Sequence, residues 1–158
     1  MLLVGAGALT AGCALNNPFS DARTPAADAI EDLAPDVALA VTAVGALLEA
    51  EARAQLAVTT FPALRKRVAG VLALHAAHLD ALENAVPDGV DATPQVAAPV
   101  TPSTRRAALQ QQDRAERALQ ATLAGIALRA ESGPFARLLG SMAAAIAQQL
   151  AARPLVDA

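Results

Sequence analysis

Residues 68–86, VAGVLALHAAHLDALENAV, decide how the rest of the chain is read. Counting back from Leu64, the stripe Val68, Val71, His75, His78, Leu82 recurs at steps of three and four, with Leu72 and Leu79 widening it. That spacing belongs to one face of a helix; a strand would alternate in steps of two. Both histidines of the chain, His75 and His78, fall inside the stripe. Buried imidazoles need hydrogen-bond partners, so the other segments are read by what they can bring to this face.

The whole chain supports a helical reading. Its 158 residues are one domain's worth and long enough for a real core. Hydrophobic residues make up 54%, chiefly Ala with Leu and Val, while Trp and Tyr are missing and Phe occurs three times. Ala is the best helix former, and the strand-favouring aromatics are nearly absent, so an all-α domain is expected. Small side chains bury little area each, which calls for long helices. The net charge is −3, and the densest basic run, Arg65-Lys66-Arg67, is one helical turn with no aromatics to stack bases, so no nucleic-acid partner is expected.

Working outward, the preceding helix is expected over residues 35–59, with Pro35 in its first turn. Its stripe is Val37, Val41, Val44 and Leu48, continuing to Glu51, Gln55 and Val58. Glu49 and Glu51 stand about 200° apart around the helix, so they cannot both face inward. Thr59-Thr60-Phe61-Pro62 is a short break, with a Thr hydroxyl as cap and Pro opening the second helix, 61–85. So short a break makes an antiparallel hairpin. Pro87-Asp88-Gly89 ends the second helix, and residues 86–102 hold Pro94, Pro99 and Pro102. Extended at about 3.1 Å per residue, this linker reaches about 50 Å. A helix of roughly 25 residues is only about 37 Å long, so both an up-down and a crossover path stay open.

Ser103 or Thr104 caps the third helix, 103–131, with Leu109, Gln112, Glu116, Leu119, Leu123 and Ile126 as its stripe. Ser132-Gly133-Pro134 makes a tight turn into the fourth helix, 134–152, whose stripe is Phe135, Leu138, Met142, Ile146 and Gln149. The expected architecture is an all-α four-helix bundle over 35–152: two antiparallel helical hairpins joined by a long Pro-rich linker.

The N-terminal residues 1–12, MLLVGAGALTAG, are apolar and uncharged but too short for a permanent membrane span. They match a signal-peptide core. Leu9-Thr10-Ala11-Gly12-Cys13 resembles a bacterial lipobox, with small residues before the Cys and Thr10 in place of the usual Leu. The match implies lipidation of Cys13, the only cysteine, and a membrane partner through that lipid. No basic n-region precedes the apolar run, so the natural start is expected upstream or the sequence to be trimmed. Residues 13–34 read as the lipidated Cys and a flexible tether rich in Asn, Asp, Pro and Ser. The expected location is the bacterial envelope, lipid-anchored and facing outside the cytoplasm.

Setting the helices side by side brings His75, Glu116 and Gln149 to about the same height, whichever path the linker takes. Three readings are open. His75, Glu116 and Gln149 form a hydrogen-bonded polar layer in the core; the register differs and these groups reach solvent; or His75, His78 and Glu116 hold a single metal ion, since an HxxH pair shares one helix face. Ser132 and Ser141 have no histidine near them in any register, so no nucleophile–base pair and no catalytic residue is assigned.

The runs LHAAHLDAL, DRAERALQATL and ESGPFARLLGSMAAAIAQQLA, within about 36–152, resemble the ferritin-like domains of bacterial lipoproteins of uncharacterised function. That resemblance implies a four-helix bundle and a mid-height di-metal layer built from single Glu residues on two helices and Glu-x-x-His on the other two. Here His78 and Glu116 stand in place, His75 stands where a Glu belongs, and the fourth helix offers Ile146 and Gln149 instead of Glu and His. Di-iron chemistry needs more anionic oxygen. The expectation is an envelope lipoprotein with a degenerate ferritin-like bundle and no cofactor, a non-catalytic binding or structural module. The alternatives are a metal-binding bundle using His75, His78 and Glu116, and a helical interaction module with a protein partner or a second copy. Ala-lined seams could also open an apolar ligand pocket.

Overall fold

The computed structural model describes residues 27–85, 94 and 97–152, with side chains from residue 35 onward. The described residues form four α-helices and no strand: α1 Ala27–Thr60, α2 Arg65–Glu83, α3 Arg105–Ala127 and α4 Gly133–Ala152. A single 3-10 turn, Pro62–Leu64, leads into α2. The described residues are all-helical in their regular structure, consistent with a helical bundle. Residues 1–12, Cys13 and the stretch to residue 26 lie outside the described residues, and with them the signal-peptide and lipidation expectations.

The helix ends follow local chemistry, with three corrections. First, α1 begins at Ala27, inside what was expected to be tether, and runs through Pro35. The segment ADAIEDLA is rich in Ala, which favours helix. Pro35 lacks an N–H, so one backbone bond is forgone without ending the helix. Second, Thr59 does not cap the next helix: its hydroxyl donates back to the Gln55 carbonyl at 2.9 Å. Phe61 is the cap residue, without a side-chain bond, and Pro62 takes the first position, where a missing N–H costs nothing. Third, Gly133 opens α4 rather than terminating α3, which ends at Ala127. Ser132 is the residue that starts α4, its carbonyl accepting from Ala136 N at 2.9 Å. At α3 the expected cap is made, Thr104 Oγ1 accepting from Ala107 N at 3.1 Å.

The buried face of α2 is the expected one: Val68, Val71, His75, His78 and Leu82. That of α1 is not. Its buried positions are Ala40, Ala43, Leu47, Ala50, Ala54 and Ala57, one residue away from the Val and Leu stripe. Val37, Val41, Val44 and Leu48 flank this seam half-buried, and Gln55 is exposed. Ala wins the centre because small side chains let helix axes close to about 8 Å, leaving larger neighbours to cover the edges. On α3, Ala108 takes the place expected for Leu109, and on α4 Leu139 takes that of Leu138.

Helix α1 packs against α2 and α3, and α3 packs against α4. One core cluster gathers Leu47, Leu82, Leu119, Leu123, Ile126 and Leu139; a second gathers Ala54, Ala57, Leu64, Val68, Val71 and Ala108. In its first third α1 reaches the α3–α4 turn: Asp36 Oδ1 accepts from Glu131 N at 2.9 Å and Oδ2 from Ser132 N at 2.8 Å. The described part of the linker lies along α1. A Cβ at Gly45 would meet Pro94 Cβ and Cγ at 3.3 Å, so the missing side chain makes room for the ring. Pro99 and Pro102 sit further along, beside Leu56, Ala57 and Ala108.

Candidate functional site

The histidines lie between the two core clusters. On α2 the buried positions 64, 68, 71, 75, 78 and 82 alternate steps of four and three, so His75 and His78 occupy seam positions one turn apart. On α3, Gln112, Ala115, Glu116 and Leu119 face the same interior. His75 and Glu116 are both fully buried, at 0% exposure.

His75 Nε2 and Glu116 Oε2 stand 3.2 Å apart. An ionised carboxylate can only accept, so the imidazole N–H is assigned as donor. The other carboxylate oxygen, Oε1, accepts from Gln112 Nε2, one helical turn earlier on α3. Glu116 is thus held from both sides, by α2 and by its own helix. The structure therefore brings together two of the three residues expected in the polar layer, and Gln112 supplies the amide. Gln149 does not join them. It is half-buried, its Oε1 makes no hydrogen bond, and its Nε2 lies where a Cβ on Gly70 would stand 3.4 Å away. Gln112 was on the expected stripe, and its place four residues before Glu116 is the signal that would have found it.

His78 is 7% exposed. Burial pushes its pKa below the ordinary value near 6.5, the neighbouring His75 lowers it further, and Glu116 acts weakly the other way. Four buried polar atoms make no hydrogen bond within the described structure: Nδ1 of His75, Nδ1 of His78, Oε1 of Gln112 and Oε1 of Gln149.

The donor set does not suit a di-metal centre. Among the described residues Glu116 is the one carboxylate beside the histidines, and both its oxygens are engaged by N–H donors. α1 presents Leu47, Ala50 and Ala54 on its inner seam. Glu49 is exposed on the outer side and pairs with Arg53 at 3.5 Å, and Glu51 is off the seam. α4 contributes Ile146. Among the described residues, no three or more His, Cys, Asp and Glu side chains are grouped to hold a metal ion.

Two other features bear on chemistry. Ser141 Oγ donates to the Leu138 carbonyl at 2.7 Å, and Ser132 Oγ accepts from Phe135 N at 3.5 Å, so both hydroxyls are tied to the helix backbone. Between α1 and α3, Ala50, Arg53, Ala115 and Leu119 border a half-open cleft of about 90 Å³. Small-molecule sites are typically about 300–1,000 Å³, so this cleft has room for a few waters and no organic ligand of ordinary size. Asp36 has no role in the sequence reading; its part as acceptor for the α3–α4 turn emerges only from the fold.

No family model matches the chain, and no curated protein or solved structure is significantly similar to it. The site must therefore be interpreted from its own chemistry.

Proposed function

We propose that this chain is a lipid-anchored envelope protein whose helical domain is a four-helix bundle of ferritin-like plan with a degenerate metal layer. It serves as a non-catalytic binding or structural module. The observation that carries this reading is Glu116: a fully buried carboxylate whose two oxygens are both taken by N–H donors, His75 and Gln112. A carboxylate that ligates metal offers its lone pairs to the ion, and here those lone pairs face donors. The layer acts as a polar clasp between α2 and α3.

The plan of the bundle is supported by the helix ends. Asp36, in the first third of α1, meets the α3–α4 turn, and Ala54 and Ala57, towards the end of α1, cluster with Ala108 near the start of α3. Leu64, Val68 and Val71 at the start of α2 belong to that same cluster. α2 and α3 then point the same way, and the linker must travel the length of the bundle, as in one-crossover bundles. Pro94 beside Gly45 and Pro99 beside Leu56 fit that path. The anchor reading rests on residues 1–13; among the described helices none is long and apolar enough to cross a membrane.

Metal analysis of protein purified without chelator tests the central claim. Less than a tenth of an equivalent of iron, zinc or manganese is expected. One or more equivalents, lost in Glu116→Gln, would favour the metal-binding alternative, for which the unpartnered Nδ1 atoms of His75 and His78 are the supporting observation. Cys13→Ser, expressed from the natural start, should leave the membrane fraction; retention there refutes the anchor.

A further inference from the structure

The outer face of α2 carries a charge pattern that its own helix does not explain. Its first turn is Arg65, Lys66 and Arg67, all exposed, and its last turns carry Asp80 and Glu83, also exposed. There is no acid in the first turn and no base in the last. A helix dipole favours the reverse, acids at the start and bases at the end. The Arg53–Glu49 ion pair and the His75–Glu116 hydrogen bond involve none of these five groups. Between the charged ends the exposed positions are Ala69, Gly70, Ala73, Ala76 and Ala77, none with a side chain beyond Cβ.

We propose that this face binds a second copy of the chain, with the two α2 helices crossing antiparallel at Ala73. The proposal is independent of what the polar layer does. Lys66, Ala73 and Asp80 are spaced by seven, so they share one exposed line along the helix. Lys66 and Asp80 each lie seven residues, about 10.5 Å, from Ala73. A two-fold axis through Ala73 therefore sets Lys66 against the partner's Asp80, and Asp80 against the partner's Lys66. Each basic helix start then lies beside the partner's helix end, where cations are favoured, and each acidic end beside a helix start. A parallel arrangement would stack like charges at both ends. The small residues between allow the axes to approach to about 8 Å. The contact is isologous and closes on itself as a dimer.

The buried strip is short. A helix face about 27 Å long and about 10 Å wide is roughly 300 Å² per copy, against about 800 Å² per partner in a standard stable interface. The dimer is accordingly weak and reversible.

Sedimentation equilibrium of the full chain from about 10 µM to about 1 mM tests this, with circular dichroism confirming that every variant is helical. The natural sequence is expected to shift from monomer to dimer over that range. Lys66→Asp and Asp80→Lys each convert two opposite-charge contacts into like-charge ones and should weaken the dimer about tenfold, each exposed pair being worth up to roughly fivefold. Combining the two restores opposite charges and should return Kd to within about twofold of the natural value. Ala73→Arg should leave a monomer throughout. A natural chain still monomeric at about 1 mM overturns the proposal, as does association that survives Ala73→Arg or a double charge swap that fails to rescue.

Discussion

The buried trio of His75, Gln112 and Glu116 makes a strong prediction about stability. A lone histidine in an apolar seam could be exchanged for Leu at little cost. This one cannot, because His75→Leu removes the α2 donor from a carboxylate with no access to solvent. Breaking a buried pair by deleting one partner typically costs about 3–5 kcal/mol. Replacing the whole polar set by apolar side chains of similar size is often neutral or stabilising by about 1–4 kcal/mol. His75→Leu and Glu116→Met alone are each expected to lose several kcal/mol, while His75→Leu combined with Gln112→Met and Glu116→Met should equal or exceed the natural protein. At roughly 4 °C per kcal/mol for a domain of this size, the single variants should melt about 10–20 °C lower. Urea unfolding followed by circular dichroism reads the effect as a shift in midpoint at constant slope. A single variant costing less than about 1 kcal/mol, or a triple variant no more stable than the singles, would show that the buried charge is not the source of the cost.

Three further outcomes follow from the geometry. Asp36→Ala removes the acceptor of two backbone N–H groups and should cost about 2–3 kcal/mol in urea unfolding, with Asn in its place recovering part of the loss. A His78 whose folded pKa lies below the ordinary 6.5 is protonated more readily in the unfolded chain, so its contribution is complete above about pH 6.5 and falls as pH drops toward the folded value. The urea midpoint should therefore decline between pH 7 and pH 5, and His78→Gln should flatten that decline; an unchanged slope refutes the assignment. Gly140→Ala, with open space around the new methyl, should stabilise α4 by about 0.5–1 kcal/mol, whereas Gly45→Ala should gain less or lose, because its methyl meets Pro94; equal gains at both sites would show that the Pro94 contact is not made.

The sequence was most legible where side-chain size and burial agree. On α2 the inner positions carry Leu, Val and His while the outer ones carry Ala and charge, so periodicity alone identified the face. On α1 the same method selected Val37, Val41, Val44 and Leu48 and missed the Ala line by one residue, about 100° of rotation. Hydrophobic periodicity weighs Val above Ala, but closest approach of two helices depends on the smallest side chains, and Ala40, Ala43, Ala50, Ala54 and Ala57 provide it. The expected Thr cap is not made, because a Thr near a helix end can bond backward as readily as forward, as Thr59 does. Asp36 was hidden for a different reason: its partners are 95 and 96 residues away, beyond any local pattern.

The rotation of α1 bears directly on the site. With Val44 and Leu48 inward, the same seam would have carried Glu51 toward the interior, adding a second carboxylate from another helix. With Leu47, Ala50 and Ala54 inward, Glu51 moves off the seam and Glu49 turns outward to Arg53. Among the described residues that leaves Glu116 as the only acid beside two imidazoles, and its two oxygens are taken by one imidazole N–H and one amide N–H rather than by a cation shared with other carboxylates. Adding acids back is therefore the stringent test of the degenerate-layer reading. Ala50→Glu on the α1 seam with Gln112→Ala, which frees Oε1 of Glu116, would restore a second oxygen donor and an open lone pair. If the layer has lost metal affinity for want of anionic ligands, that variant should take up about one equivalent of zinc where the natural chain takes up little, because zinc is held by mixed nitrogen and carboxylate sets of three or four ligands. A variant that folds, as judged by its helical circular dichroism, and still fails to bind would show that the helix spacing, not the missing acids, closes the site.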